Sequence, residues 1–313
     1  MERLQMEILA KLRQKHNIVT LEPINKGWSG DKKYRVETAN GQRLFLRVSD
    51  IAEYERKKAE YDMMEQAYNH GVLTPKPVGL GICDDGKSCY SLSGWLDGED
   101  LSEVWVTLSE TEQYTLGLKA GEILRKIHTL PAPVNGKLWS ERFYPKVQGR
   151  IDFYNTSPIK SENGDVIVRY LKENRHFLND RPQTFNHGDY GLWNLMFTSD
   201  AQIGVIDFNA YNKDYGDPWR EIAFIPCGMD KPSIHFHTGM IRGYFGGKQP
   251  FEFFELLSYY SAYGGLAALC DTYAGEYGEP EDGKRHMENI LRWFDNMSNP
   301  VPSWYLSEWG AAK

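Results

Sequence analysis

The chain has 313 residues, 41% hydrophobic and 25% charged, with a net charge of −7. That length supports a large buried core and about two domains, and the composition is that of an ordinary soluble globular protein. The negative charge argues against a nucleic-acid surface, and the absence of an apolar run of about 18 residues argues against a membrane span. The acidity is uneven. Residues 1–93 carry 15 Lys and Arg against 13 Asp and Glu, and the remainder carries 21 against 30, a division suited to a polyanion at the first part and a cation at the second.

In chain order, residues 1–18 alternate charged and apolar side chains at helical spacing without a continuous hydrophobic stretch. This predicts a helix to about residue 17 and no signal peptide. Residues 21–24 and 34–38 read as two strands around Lys26-Gly27-Trp28-Ser29-Gly30-Asp31. Asn40-Gly41 is a strong turn signal ahead of a strand at 44–48. A charged amphipathic helix follows from Ile51 to His70, stopped by Gly71, and strands near 78–82 and 88–92 flank the turn Asp84-Asp85-Gly86-Lys87. The order predicts an antiparallel sheet lobe over residues 1–93, a hinge at 94–98 and a mainly helical lobe over 99–313. In that second lobe a long helix over 109–130 would bury Leu116, Ala120, Ile123, Leu124 and Ile127, and a hairpin interrupts the helices at 185–208.

Late in the chain, residues 271–282 hold Asp271, Glu276, Glu279, Glu281 and Asp282 without a Lys or Arg. With Gly275, Gly278 and Pro280 they read as a loop, either simply solvated or bordering a site for a cation. Cys83, Cys89, Cys227 and Cys270 form no CxxC pair, and with no export signal they predict reduced thiols and a cytoplasmic location. His235 and His237 would share one face of a strand, but no third ligand lies near in sequence, so no metal is assigned to them.

The most informative stretch runs His187-Gly188-Asp189-Tyr190-Gly191-Leu192-Trp193-Asn194, then Val205-Ile206-Asp207-Phe208-Asn209, then Gly216-Asp217-Pro218. An Asp, an Asn five residues on and a second Asp thirteen beyond is the layout of a phosphoryl-transfer catalytic loop followed by a metal-binding strand end. Such chemistry needs one carboxylate to orient the attacking hydroxyl and take its proton, and oxygen ligands to hold Mg²⁺ against nucleotide phosphates. Asp189 suits the first part; Asn194 and Asp207 suit the second.

HGDxxxxN, IDF and GDP in this order resemble the aminoglycoside phosphotransferase family, small-molecule kinases with a protein-kinase-like fold. The resemblance implies a two-lobed α+β architecture and transfer of a γ-phosphoryl group from ATP or GTP, with Mg²⁺, to a hydroxyl of a small molecule. An aminoglycoside is the first expectation, and a cationic acceptor would suit the acidic second part. A macrolide, another antibiotic, choline or a sugar is the alternative, and a non-catalytic nucleotide-binding protein the more remote one. No protein partner is predicted. Only eight residues separate Asp207 from Gly216, too few for the activation segment of a protein kinase.

Carried over residue by residue, Gly27, Ser29 and Gly30 would cover the phosphates with backbone N–H groups. Ser93 and Trp95 would meet the base at the hinge, His187 would brace the loop, and Asp217 would cap the helix after it. The clearest departure is Arg47, standing on the third strand where most kinase-like chains place a Lys. Guanidinium can still grip phosphate and carboxylate, and members resembling macrolide kinases carry a similar Arg. Glu60 is the expected ion-pair partner on the helix, with Glu53, Glu55 and Glu65 as rivals. Lys32 and Lys33 are either solvated strand residues or additional phosphate contacts.

Overall fold

The computed structural model describes residues 10, 12–26, 30–132, 136–210, 215–227 and 233–276, and 278–307, the side chains of 224–227 apart. The chain divides into two compact units, residues 1–104 with 187–214 and residues 105–186 with 215–313. The segment that carries the HGDxxxxN and IDF motifs therefore clusters with the N-terminal sheet, although it is separated from it in sequence by a run of helices.

In the first unit a helical turn at residues 12–16 (α1) precedes five antiparallel strands: β1 (Ile18–Ile24), β2 (Lys32–Thr38), β3 (Arg43–Asp50), β4 (Pro77–Cys83) and β5 (Ser88–Gly94). Their order across the sheet is β1-β2-β3-β5-β4. Successive side chains of a strand point to opposite faces, so Leu44, Leu46 and Val48 of β3 enter a core with Leu12, Ile18, Tyr34, Val36, Tyr90 and Leu92. Phe45 and Arg47 take the other face. Helix α2 (Tyr54–Asn69) packs beside β4 and β5 and buries Lys57, Met63 and Ala67. It stops at Gly71, whose φ of 76° favours glycine. The unit is completed by β6 (Glu99–Asp100), the short helix α3 (Leu101–Val104), and the pair β8 (Leu195–Phe197) and β9 (Ile203–Val205), with β6 hydrogen-bonded to β8.

The second unit is helical: α4 (Glu110–Ile127), α5 (Trp139–Thr156), α6 (Gly164–Glu173), α7 (Pro218–Cys227), α8 (Ile234–Phe245), α9 (Phe251–Tyr273) and α10 (Pro280–Trp293), with one small strand pair, β7 (Thr184–Phe185) and β10 (Tyr215–Gly216). Ser109 and Glu112 cap α4 reciprocally. The predicted stripe of α4 is buried at Leu116, Ala120, Leu124 and Ile127, while Ile123 is half-buried. Close helix contact explains what else is buried. A Cβ on Gly121 would lie 2.0 Å from the carbonyl oxygen of Met240 on α8, and one on Gly243 2.0 Å from that of Leu118, so the two backbones touch where the glycines are. Helix α9 is buried on nearly every side, yet among the described residues no helix is long and apolar enough to cross a membrane.

Two local expectations change. Residues 271–282 are not one loop, because α9 runs through Tyr273 and α10 starts at Pro280. His235 and His237 lie on α8 and not on a strand; His235 faces Glu110 at 3.5 Å and His237 is buried with Nδ1 2.8 Å from the Ser233 carbonyl. Cys83, Cys89 and Cys270 are buried free thiols.

Candidate active site

The catalytic-loop sequence folds as a tight, internally bonded turn. Gly188 has φ 89°, and a Cβ there would lie 2.3 Å from the Asn209 carbonyl oxygen, so the loop and the strand end after β9 approach as only glycine allows. The Asn209 amide donates to the His187 carbonyl at 2.9 Å, and the Ile206 amide to the Asn194 carbonyl at 3.0 Å. His187 is fully buried, with Nε2 3.0 Å from the Ile206 carbonyl and Nδ1 accepting from the Asp189 amide at 3.2 Å. An imidazole engaged at both nitrogens braces the loop, as its sequence position predicted.

Asp189 is then fixed by its neighbours. The Asn194 side-chain nitrogen donates to Asp189 Oδ2 at 2.9 Å and to its carbonyl at 2.8 Å. Trp193 Nε1 donates to the same Oδ2 at 3.2 Å while the indole remains 40% exposed. Trp193 was not anticipated; it stands four residues after Asp189, and only the tight turn at Leu192–Asn194 brings it back.

Asp207 has φ 61°, a left-handed conformation uncommon for a residue with a side chain and often found where function demands it. Its Oδ1 accepts from Arg47 Nη2 at 2.9 Å, so β3 and the strand end meet through an ion pair that the sequence reading did not anticipate. Partial desolvation works to raise the Asp207 carboxyl, whose side chain is 49% exposed, but the charge and hydrogen bond of Arg47, with smaller contributions from His187 and Lys57, hold the group below the usual carboxylate value. A divalent cation at this place would be met by the Asp207 carboxylate and the Asn194 side-chain oxygen. That donor set fits Mg²⁺, a hard ion that takes one or two carboxylates and completes its shell with water and phosphate oxygens.

Glu60 does not reach Arg47 in the way predicted. Its oxygens meet Arg56 at 2.9 Å and Lys57 at 3.3 Å on its own helix. Among the described residues, the carboxylates facing Arg47 are Asp207 and Asp31, the latter 3.8 Å from Nε. The reason is local: Lys57, one turn before Glu60 on the stripe that continues to Met63 and Ala67, is itself buried and intercepts it. Lys33, the cross-strand partner of Arg47, donates to the Lys26 carbonyl at 3.0 Å, and burial together with the charge of Arg47 lowers its pKa.

Gly27 and Ser29 lie outside the described residues. Gly30 is described, and a Cβ there would meet nothing within 4 Å. In the segment expected to form the hinge, which lies inside the first unit, Ser93 is buried and Trp95 half-buried under Arg35, 5.5 Å from the ring. The Gly94 amide donates to the Lys76 carbonyl at 2.7 Å and the Trp95 amide to the Arg43 carbonyl at 2.9 Å. Those two donors are engaged within the unit, so a base would meet other groups of the segment.

In the second unit Asp217 is fully buried and accepts from Arg181 Nε at 2.8 Å, Arg181 Nη2 at 2.9 Å, Tyr260 at 2.6 Å and the Trp219 amide at 3.0 Å. It caps the start of α7 as predicted. Arg181, Tyr260 and Trp139, which donates to Tyr260 Oη at 2.8 Å, were not legible as its partners because they come from three distant segments.

A five-stranded antiparallel sheet carrying a basic residue that meets a carboxylate after an HGDxxxxN loop is the arrangement of a kinase-type phosphotransferase. Residues 20–254 match the model of the phosphotransferase enzyme family (APH), and the chain belongs to that family. No curated protein matches the sequence significantly. Among solved structures, the chain is similar to the ADP-bound aminoglycoside phosphotransferase APH(2'')-Ib, at 17% identity and TM-score 0.64 over 91% of this chain and 96% of that one. It is similar to APH(2'')-IIa in its ternary complex with streptomycin and ATP, at 17% identity and TM-score 0.63 over 91% and 95%. A choline/ethanolamine kinase family protein from Mesorhizobium loti gives 14% identity and TM-score 0.63 over 95% and 98%. The fold is thus the protein-kinase-like α+β fold of aminoglycoside kinases, and the protein is a small-molecule phosphotransferase.

Proposed function

We propose that the protein transfers the γ-phosphoryl group of ATP or GTP to a hydroxyl of a small molecule, with an aminoglycoside as the first acceptor to test. The observation that carries this reading is the assembly of Asp189, Asn194, Asp207 and Arg47 within one unit, with Arg47 2.9 Å from Asp207. Asp189 orients the acceptor hydroxyl and accepts its proton as the oxygen bonds to the γ-phosphorus. The bond to the bridging oxygen breaks and the nucleoside diphosphate leaves. Asp207 and Asn194 hold Mg²⁺, which when bound neutralises the phosphates. Arg47 grips phosphate in the place of the usual lysine, Gly27, Ser29 and Gly30 are assigned to the phosphates, and the segment around Ser93 and Trp95 receives the base.

A metabolite or neutral antibiotic is the second reading, favoured by the distribution of charge in the structure. Residues 105–186 with 215–313 hold 20 Lys and Arg against 22 Asp and Glu, so the helical unit is nearly neutral and most of the acidity travels with the first unit. The acid-rich segment is also partly neutralised in place, with Asp271 paired to Arg150, Glu281 to Lys284 and Asp282 to Arg285. The deciding experiment incubates the protein with Mg²⁺ and ATP or GTP over a pooled library of aminoglycosides, macrolides, choline and sugars. Mass spectrometry then looks for the addition of one phosphate. A phosphorylated aminoglycoside supports the first reading and a phosphorylated neutral compound or metabolite the second; no phosphorylated product under either nucleotide rejects both.

A further inference from the structure

The strand cation and its carboxylate are wired differently here from the pairing the sequence leads one to expect. Asp31, at the head of β2, has a side chain only 8% exposed. Lys57 Nζ, from α2, donates to its Oδ2 at 2.8 Å, and the same oxygen lies 3.8 Å from Arg47 Nε. The two-residue period of β3 places Arg47 and Ser49 on one face, and the strand presents its cation to this buried carboxylate. Burial raises the Asp31 carboxyl, but the hydrogen bond of Lys57 and the charges of Lys57 and Arg47 hold it below its usual value.

Arg47 is shared unequally. Its Nη2 is bonded to Asp207, while Nε is buried with no hydrogen-bond acceptor in reach among the described residues. A buried donor without an acceptor is costly, and the carboxylate 3.8 Å away is poised to relieve it after a small shift. A cation at Asp207 competes with Arg47 for that carboxylate, and phosphate oxygens compete for Arg47. Once Arg47 gives up Asp207, the anion that remains beside it among the described residues is Asp31.

We propose that Asp31, and not a glutamate of α2, is the positioning carboxylate of Arg47, holding the guanidinium for the phosphates when Mg²⁺ and nucleotide claim Asp207, with Lys57 fixing Asp31 from the helix. The inference rests on the phosphotransferase reading given under Proposed function. It assigns Glu60 the lesser task of neutralising Lys57 and Arg56.

The test measures Mg²⁺-nucleotide binding by calorimetry and steady-state kinetics with any phosphorylated acceptor from the library, in four variants whose folding is checked by thermal melting. Asp31→Asn should raise the nucleotide Kd and KM by at least about tenfold, the loss expected for a charge-assisted contact, with acceptor KM unchanged. Asp31→Glu should recover part of that loss. Glu60→Gln should change nucleotide KM by no more than about threefold, the scale of a partly exposed helix pair. Because Asp31→Asn strands the Lys57 charge, Asp31→Asn combined with Lys57→Met removes both buried charges; it should fold and keep the nucleotide defect. Parental nucleotide affinity in that double variant, or a larger defect in Glu60→Gln than in Asp31→Asn, overturns the proposal while leaving the phosphotransferase reading intact. A parent protein that binds neither Mg²⁺-ATP nor Mg²⁺-GTP overturns that reading, and this inference with it.

Discussion

Asp189 and Asp207 are eighteen residues apart in sequence and differ in what surrounds them. Asp189 collects neutral donors, the Asn194 amide and the Trp193 indole, which orient a carboxylate without neutralising it. Asp207 faces a guanidinium and is held as an anion. The two substitutions should therefore separate. Asp189→Ala is expected to lower turnover by roughly 100- to 10,000-fold, the span of general-base effects, with nucleotide affinity near that of the parent, because the group acts on the acceptor. Asp207→Ala should lose Mg²⁺-dependent nucleotide affinity together with rate, since the proposed anionic metal ligand is gone. Calorimetry with and without Mg²⁺ distinguishes them; Mg²⁺-nucleotide affinity equal to the parent's in Asp207→Ala would falsify the metal assignment.

Among the helices of the second unit, two buried polar groups have opposite roles in stability. Asp217 gathers Arg181, Tyr260 and the first turn of α7 around one buried carboxylate. Removing it as Asp217→Ala leaves the largely buried Arg181 charge unmatched and should cost about 3–5 kcal/mol of unfolding free energy. Chemical denaturation measures this, and a midpoint equal to the parent's would show that water replaces the network. His237 on α8 works in reverse. Burial pushes its pKa down to about 4 from the usual 6.5, so the folded protein keeps it neutral where the unfolded chain takes up a proton. Stability linked to this residue is fully present above pH 6.5 and is lost as pH falls toward 4, with a slope approaching about 1.4 kcal/mol per pH unit for one proton. His237→Phe should flatten the acid side of the stability curve between those limits. An unchanged slope would mean that other groups dominate acid unfolding.

For the whole molecule, long-range charge is the question the acceptor poses. Three of the five acids at 271–282 are paired with nearby basic side chains, and Glu276 and Glu279 are the two for which a cationic acceptor would have to be tested. If the acceptor is cationic and feels them, its KM at saturating nucleotide should rise with salt, since exposed charges are screened over roughly 8 Å at physiological ionic strength. Glu276→Lys combined with Glu279→Lys should raise KM for a cationic acceptor and leave a neutral macrolide unaffected. Turnover of the neutral compound alone, indifferent to salt and to both substitutions, rejects the aminoglycoside reading and promotes the neutral one.

Chain-local information was enough for the strands, the long helices and the order of the catalytic motifs. The strand at 44–48, the long helix from Ser109 and the HGDxxxxN spacing are each properties of a few consecutive residues, and each reappears in the structure. Pairings across the chain were not accessible in that way. Nothing in the order of residues says that Lys57 turns inward and takes Glu60, that Asp31 faces Arg47, or that Arg181, Tyr260 and Asp217 converge, because many charged residues share the same local pattern and only burial selects among them. The same holds for residues 271–282, where glycines and acids predicted a loop but packing carried α9 to Tyr273 and began α10 at Pro280. Sequence by itself determined which chemistry the chain carries, since that chemistry resides in residue type and spacing. Tertiary structure decided which charge answers which, since ion pairing depends on distance and desolvation, and both are set only when distant segments are buried together.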